Sequence, residues 1–338
     1  MPIHTVIIAE AGVNHNGRLD LALQLVDAAA AAGADYVKFQ TFKAKDLVTT
    51  TAPRAVYQRQ ACPQEKDDSQ MAMLSALELS YEDFKTLAQH CRERHIGFMS
   101  TPFDLNSIEF LASVGMDYWK IPSGEITDLP YLRAIAVHPG KVIMSTGMST
   151  IVEVEAALHA LESAGKPRRD IILLHCTTQY PAPLESVNLH AMDTLSTLGC
   201  AAVGYSDHTK GITVPIAAAA RGAAVIEKHF TLSRQMEGPD HKASLEPSEL
   251  ADMVRAIRDV EIALGSPQKV VTAAESANVA VARRSIVAAR HIAKGQIITA
   301  DDITAKRPGT GLSPMLWDKV IGSIASHDYE TNEFIELS

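Results

Sequence analysis

A closed (β/α)8 TIM barrel over residues 1–265 is the fold the sequence predicts, with a small β-rich domain after it. Three observations carry this. Short apolar runs alternate with helical patterns eight times. The strand-like runs are apolar throughout rather than alternating, as parallel strands buried on both faces should be. Each run also ends in a polar or ionisable residue, where a barrel of this kind keeps its chemistry.

In order, strand "TVIIAEA" leads to helix "LDLALQLVDAAAAAGA" and strand "DYVKFQ". A long polar excursion runs from Thr41 to Leu79. Helix "YEDFKTLAQHCRERH", strand "IGFMST", helix "LNSIEFLASVG" and strand "DYWKIP" follow. A short helix from about Leu129 to Ala136 precedes strand "KVIMST". Helix "STIVEVEAALHALESAG" is capped by Ser149 or Thr150 and stops at Gly165. Strand "DIILLHC", helix "LESVNLHAMDTLSTLG", strand "AAVGYS", helix "GITVPIAAAARG" and strand "AAVIEK" come next. The last helix runs from about Pro247 to Leu264. A doubly wound sheet is the rival fold. However, "AEAGVNHNG" after the first strand lacks the glycines of a dinucleotide-binding turn, and Asn14, His15 and Asn16 fill its bend.

The pattern changes beyond the barrel. Residues 266–282 read as a linker and 283–338 as a domain of brief strands and turns, with its own Val, Ile, Leu and Trp317 core. The net charge of −9 argues against nonspecific nucleic-acid binding. The N-terminus has no secretory leader pattern, and Asp27 and Arg221 break the two Ala-rich runs below membrane-spanning length. Cys62, Cys91, Cys176 and Cys200 have no CxxC spacing, so reduced, mostly buried thiols in a cytoplasmic protein are expected.

The strand ends read Glu10; Lys38 and Gln40; Ser100 and Thr101; Lys120 with Ser123; Ser145 and Thr146; His175 and Thr177; Ser206, Asp207 and His208; Glu227 and His229. One such residue is a cap or a solvated edge; a full ring is an active site. His208 and His229 close adjacent strands. They either hold a divalent ion with open positions for a Lewis-acid role, or one is a core histidine bonded to a carboxylate such as Asp207. Lys38 and Lys120 pair with Glu10 or Glu125, or receive an anion. Ser123-Gly124 and Thr146-Gly147 add hydroxyls and backbone N–H groups suited to phosphate, and there is no P-loop. Glu10 serves chemistry or neutralises a lysine, and Asp240 accepts a sugar hydroxyl or is a solvated loop residue.

Together, "IAEAGVNHNG", "VKFQTFKA", "STPFD", "WKIPSGE", "MSTGM", "HCTTQYPAP", "GYSDHT", "EKHFTL" and "GPDHKASLEP" resemble the sialic acid synthase family of bacterial nonulosonic acid synthases. The likeness covers essentially the whole chain. The tail "RRSIVAARHIAKGQIITADDITAKRPGTG" resembles that family's antifreeze-like, or SAF, domain.

The resemblance implies condensation of phosphoenolpyruvate with the open-chain aldehyde of an N-acetylated mannosamine-type sugar. It implies Mn2+, or Mg2+ or Co2+, as the cofactor, and a domain-swapped homodimer, with no nucleic-acid or membrane partner. It implies His208 and His229 as metal ligands and Glu10 beside the reacting carbons. Lys38, Gln40, Thr101, Lys120, Ser123, Ser145 and Ser206 would surround phosphoenolpyruvate. Thr178, Tyr180, Asp240 and, from the partner's tail, Arg307 would surround the sugar.

One segment departs from synthases of N-acetylneuraminate. Where they commonly carry "CTNxYP", this chain has "CTTQYPAP", which resembles synthases of N,N′-diacetyllegionaminate. The implied acceptor is 2,4-diacetamido-2,4,6-trideoxymannose, with N-acetylmannosamine as the alternative. Two other classes compete: a Schiff-base aldolase working through Lys120, and a sugar-binding scaffold. The scaffold gives the strand-end ring no purpose.

Overall fold

In the computed structural model, which describes residues 4–55, 58–59 and 69–337, the eight runs form parallel strands. They are β1 (Val6–Gly12), β2 (Tyr36–Thr41), β3 (Gly97–Pro102), β4 (Tyr118–Ile121), β5 (Lys141–Ser145), β6 (Ile171–Cys176), β7 (Ala202–Asp207) and β8 (Val225–His229). Their order is β3-β2-β1-β8-β7-β6-β5-β4. The two ends of that series, β3 and β4, lie side by side without a ladder, so the barrel is nearly closed. Tyr131 bridges this seam: its buried hydroxyl donates to Pro102 O at 2.7 Å and approaches Lys120 O at 3.4 Å.

Period-two geometry sorts each strand between the barrel interior and the surrounding helices. Ile8, Met99, Ile143, Leu174 and Val225 meet in one buried apolar cluster inside the barrel. Two residues further along each strand stand Glu10, Thr101, Ser145, Cys176 and Glu227. The interior therefore changes from an apolar floor to a polar layer in a single step along the strands. The alternate residues, such as Ile7, Val37, Met144 and Leu173, pack outward in the strand–helix clusters.

Helix boundaries follow their local chemistry. Thr150 and Glu153 form a reciprocal capping box at the start of Ile151–Ser163, and Ser80 with Asp83 does the same for Tyr81–Glu93. The helix expected between Leu184 and Gly199 is instead a 3-10 turn, Leu184–Ser186, and a short helix, Ala191–Ser196. Asn188 between them has φ +46°, a left-handed conformation that no helix continues through. The excursion after β2 contains helices Ala44–Leu47 and Gln70–Leu77, which pack with Val13, Phe42 and Phe103. Cys91 and Cys176 are buried free thiols and Cys200 is half-buried, while Cys62 lies outside the described residues.

Residues 266–338 form a second compact unit. It contains helix Ala273–Ala282, within the span read as linker, and an antiparallel pair, β9 (Ser285–Ala288) with β10 (Ile303–Lys306). Ile286, Ile292, Ile298, Ile303, Val320, Tyr329 and Ile335 make its core, with Trp317 partly buried against them. Among the described residues no helix is long and apolar enough to cross a membrane.

One polar pair lies among the outward-facing residues. Lys228 on β8 is fully buried, and its ammonium donates to Asp207 and to Thr209 O. Asp207 also accepts from the Thr209 N–H and hydroxyl, both at 3.0 Å. Lys228→Met is expected to destabilise the protein by about 3–5 kcal/mol, because it strands a buried carboxylate. Lys228→Met combined with Asp207→Leu should recover most of that loss. Denaturant unfolding of the two variants checks this, and equal destabilisation by both would contradict it.

Candidate active site

The polar layer inside the barrel holds two lysines and two glutamates, exposed by only 1–4%. Lys38 Nζ stands 2.6 Å from Glu10 Oε2, 3.6 Å from Glu227 Oε2 and 3.0 Å from Thr101 Oγ1. Lys120 Nζ donates to Ser145 Oγ at 2.7 Å and lies 3.7 Å from Glu227 Oε1, which accepts from Ser206 at 2.9 Å. Gln40 Nε2 donates to Glu10 Oε1 at 3.2 Å. Glu227 thus joins both ammoniums in one chain of charges.

Burial divides these groups unequally. It pushes Glu10 up to about 7, only partly offset by Lys38. Burial acts on Glu227 too, but Lys120 and Lys38 together outweigh it and hold that carboxylate at about 2. Burial lowers Lys120, with Glu227 restoring part of the loss. For Lys38 burial is overcome by Glu10 and Glu227, and the net shift is upward. Two carboxylates in one cavity with separated pKa values are suited to separate roles, one exchanging a proton and one remaining an anion.

Above this layer, the His208 and His229 rings face each other with centroids 5.5 Å apart. Tyr180 lies 4.1 Å from His208, its ring tilted 36° to the imidazole, and meets His229 edge-on at 5.6 Å. His208 Nδ1 lies 2.7 Å from Thr177 O, which fixes the tautomer carrying its lone pair on Nε2. His229 Nδ1 is buried with no hydrogen-bond partner among the described residues. Burial lowers both histidines, His229 well below the ordinary imidazole range with His208 adding to the effect. Neutral rings, one of them with an unpaired buried nitrogen, fit divalent-ion ligation. Among the described residues no group of three or more His, Cys, Asp or Glu is arranged around a common point for an ion. What this cavity could offer an ion is the pair of imidazoles, His208 and His229.

The same cavity, about 450 Å3, also contains Gln40, Ser123, Glu125, Cys176, Thr178, Tyr180 and Asp240. Its far wall is apolar: Phe42, Leu47, Met73, Leu74, Leu77 and Phe103. Gly147 comes so close to its neighbours that a Cβ there would lie 2.3 Å from Thr178 Oγ1. Asp240 is held from outside the cavity, since Asn14 Nδ2 donates to Ser244 Oγ at 3.0 Å, and Ser244 donates to Asp240 O at 2.7 Å. Burial raises the Asp240 carboxyl to about 6.

Several strand-end groups serve the scaffold instead. Ser100 bonds to Thr41, Thr146 to Leu174 O, and His175 to Val187 O. Asp207 belongs to Lys228 and not to either site histidine. Gln179 lines a neighbouring groove rather than the main cavity. Arg307 lies in the second unit, exposed, with Nε donating to Ala282 O at 3.0 Å. Glu227 has a larger place than the sequence reading gave it. Its signal was its position two residues before His229, on the same face of β8.

A model described as the NeuB family matches residues 25–269, and one described as the SAF domain matches residues 283–338. An N,N′-diacetyllegionaminic acid synthase of Campylobacter jejuni is 49% identical over 331 residues, covering 98% of each chain. A second, of Legionella pneumophila, is 48% identical over 319 residues, covering 94% of this chain and 89% of its own. The crystal structure of an N-acetylneuraminic acid (sialic acid) synthetase of Leptospira borgpetersenii, in complex with citrate, has a TM-score of 0.71 at 33% identity. It covers 81% of this chain and 90% of that one. With a family match across the barrel that carries both site histidines, Lys38, Lys120 and Glu227, the chain belongs to the NeuB family.

Proposed function

We propose that this protein condenses phosphoenolpyruvate with 2,4-diacetamido-2,4,6-trideoxymannose to give N,N′-diacetyllegionaminate and inorganic phosphate. The observation that carries the chemistry is the paired-charge layer beneath two neutral imidazoles in one cavity. Phosphoenolpyruvate brings a carboxylate and a phosphate, and Lys38 and Lys120 are two buried cations already held in place by hydroxyls and carboxylates. Such an arrangement stabilises anions without reorganising during reaction. Thr101, Ser123, Ser145 and Ser206 supply hydroxyls around it, and Gln40 steadies Glu10.

The enol C3 attacks the sugar aldehyde, and positive charge develops at C2. Glu227, ionised throughout, stabilises that charge. Glu10, titrating at about 7, takes a proton from the water that adds at C2. Cleavage of the C2–O bond then releases phosphate, which leaves with the proton of the C2 hydroxyl, and gives the 2-keto acid. The proton taken up by Glu10 goes to the alkoxide that the aldehyde oxygen became. His208 and His229 would hold the divalent ion, Mn2+ in this reading, which supplies carbonyl polarisation. A Schiff-base aldolase would share only the lowered pKa of Lys120 and has no use for the two imidazoles.

For the acceptor, the support is the apolar wall and Thr178. Met73, Leu74, Leu77 and Phe103 suit the methyl terminus of a 6-deoxy sugar, and Thr178, which lines the same cavity as Tyr180, reaches less far than an asparagine. Asp240 would take a sugar hydroxyl. Arg307 of the partner subunit, in a domain-swapped homodimer, would take an N-acyl group. Side-by-side steady-state kinetics are expected to give at least about tenfold higher kcat/KM with the diacetamido sugar than with N-acetylmannosamine, the partners of the second acyl amide being unmatched in the latter. Equal or better efficiency with N-acetylmannosamine would instead assign the protein to N-acetylneuraminate synthesis.

A further inference from the structure

Cys176 ends β6 with its thiol inside the cavity, and nothing in the condensation so far requires it. Its Sγ lies 3.2 Å from Ser123 Oγ, and Ser123 Oγ also accepts from the Gly147 N–H at 3.0 Å. Gly147 fixes this triangle, since a Cβ on it would lie 2.8 Å from both Cys176 Sγ and Ser123 Oγ.

The serine hydroxyl has one hydrogen to give and two lone pairs to fill. Gly147 fills one lone pair, because a backbone N–H can only donate. The contact with Cys176 can run either way. If the hydroxyl donates to sulfur, a bare oxygen lone pair is left towards the cavity, and a bound anion repels it. If the thiol donates to the hydroxyl, both lone pairs are filled and only the O–H remains, which an anion attracts. Burial keeps the thiol protonated, raising its pKa against the pull of Ser123 and Lys120. The proton that this arrangement needs is therefore present.

We propose that Cys176 is a positioning residue for phosphoenolpyruvate: its S–H, with the Gly147 N–H, saturates the acceptor capacity of Ser123 and turns the serine O–H to the bound anion. This rests on the reading of Ser123 as a phosphoenolpyruvate ligand. Cys176 touches no reacting atom; it acts through Ser123.

The test is a double-mutant cycle read by titration calorimetry with phosphoenolpyruvate and by steady-state kinetics. Cys176→Ala is expected to weaken phosphoenolpyruvate binding about three- to tenfold, the worth of one modest hydrogen bond. The KM for the sugar should stay within about twofold, as a loss confined to one hydrogen bond predicts. Cys176→Ser, which keeps a donor, should restore most of the affinity. In a Ser123→Ala background, Cys176→Ala should cost nothing further. A measurement independent of how the alanine variant folds is the S–H stretching band of Cys176 in the unmutated protein, assigned by its absence in Cys176→Ser. That band should move to lower frequency when phosphoenolpyruvate binds, and not in Ser123→Ala. An undiminished cost of Cys176→Ala without the serine hydroxyl, or an unmoved band, overturns the proposal. If Ser123→Ala weakens phosphoenolpyruvate and Cys176→Ala does not, only the role of Cys176 fails. If Ser123→Ala leaves phosphoenolpyruvate binding unchanged, Ser123 is no ligand and the reading of the anion site fails with it.

Discussion

Glu10→Gln is expected to bind phosphoenolpyruvate at least as tightly as the unmutated protein while turning over about a hundred- to ten-thousandfold more slowly, the range for loss of a positioned base. The two effects have opposite signs for one electrostatic reason. Lys38 sits 2.6 Å from Glu10, and that carboxylate offsets the ammonium that an incoming anion needs. The amide keeps the size of the side chain and removes the charge, so Lys38 becomes more available to phosphoenolpyruvate. The amide cannot take a proton from water, and it offers less stabilisation to positive charge at C2. Titration calorimetry for binding and single-turnover kinetics for the chemical step separate the two effects. A kcat within tenfold of the unmutated protein would remove Glu10 from the reaction and leave it a neutralising partner of Lys38. Glu227 cannot take over the proton transfer. Lys120 and Lys38 hold it at about 2, too weak a base to accept a proton from water near neutral pH.

The barrel was legible because its signal is periodic and repeated. Eight apolar runs with polar ends leave few other solutions, and the helix expected between Leu184 and Gly199 is interrupted at a single left-handed asparagine. The active-site ring was legible at the level of strand ends but not of side-chain direction. Ser100 and Thr101 are neighbours in sequence, and the pleat sends them to Thr41 and to Lys38 respectively. The same alternation gives Asp207 to Lys228 while Ser206 reaches Glu227. Direction follows from knowing which residue of each strand joins the floor, and that is a property of the assembled barrel. The separation of Glu10 from Glu227 was less accessible still. Both are glutamates at the ends of apolar strands, and only the three-dimensional placement of two lysines against one of them distinguishes their protonation. The apolar wall from Met73, Leu74 and Leu77 falls in what the sequence offered only as a polar excursion.

Removal of divalent metal is expected to abolish turnover, and His229→Ala to reproduce that loss without recovery on adding Mn2+. Several kcal/mol of transition-state stabilisation are at stake, a factor of about a hundred or more. The physical basis is the condition of the two rings. His208 is oriented by Thr177 O, and His229 Nδ1 is buried without a partner, a cost that the fold leaves uncompensated among the described residues. Both imidazoles stand at the ends of their strands above the apolar floor, so replacing either should leave the barrel folded. A readout independent of activity distinguishes ligation from mere packing. A ligand that binds only the folded state raises the melting temperature, by more the further its concentration exceeds Kd. Mn2+ should therefore raise the melting temperature of the chelated unmutated protein and leave His229→Ala and His208→Ala unmoved. Elemental analysis of the same samples should show metal retained by the unmutated chain alone. Full turnover after exhaustive chelation, with metal absent by that analysis, would sink the assignment and return the two histidines to binding the substrates directly.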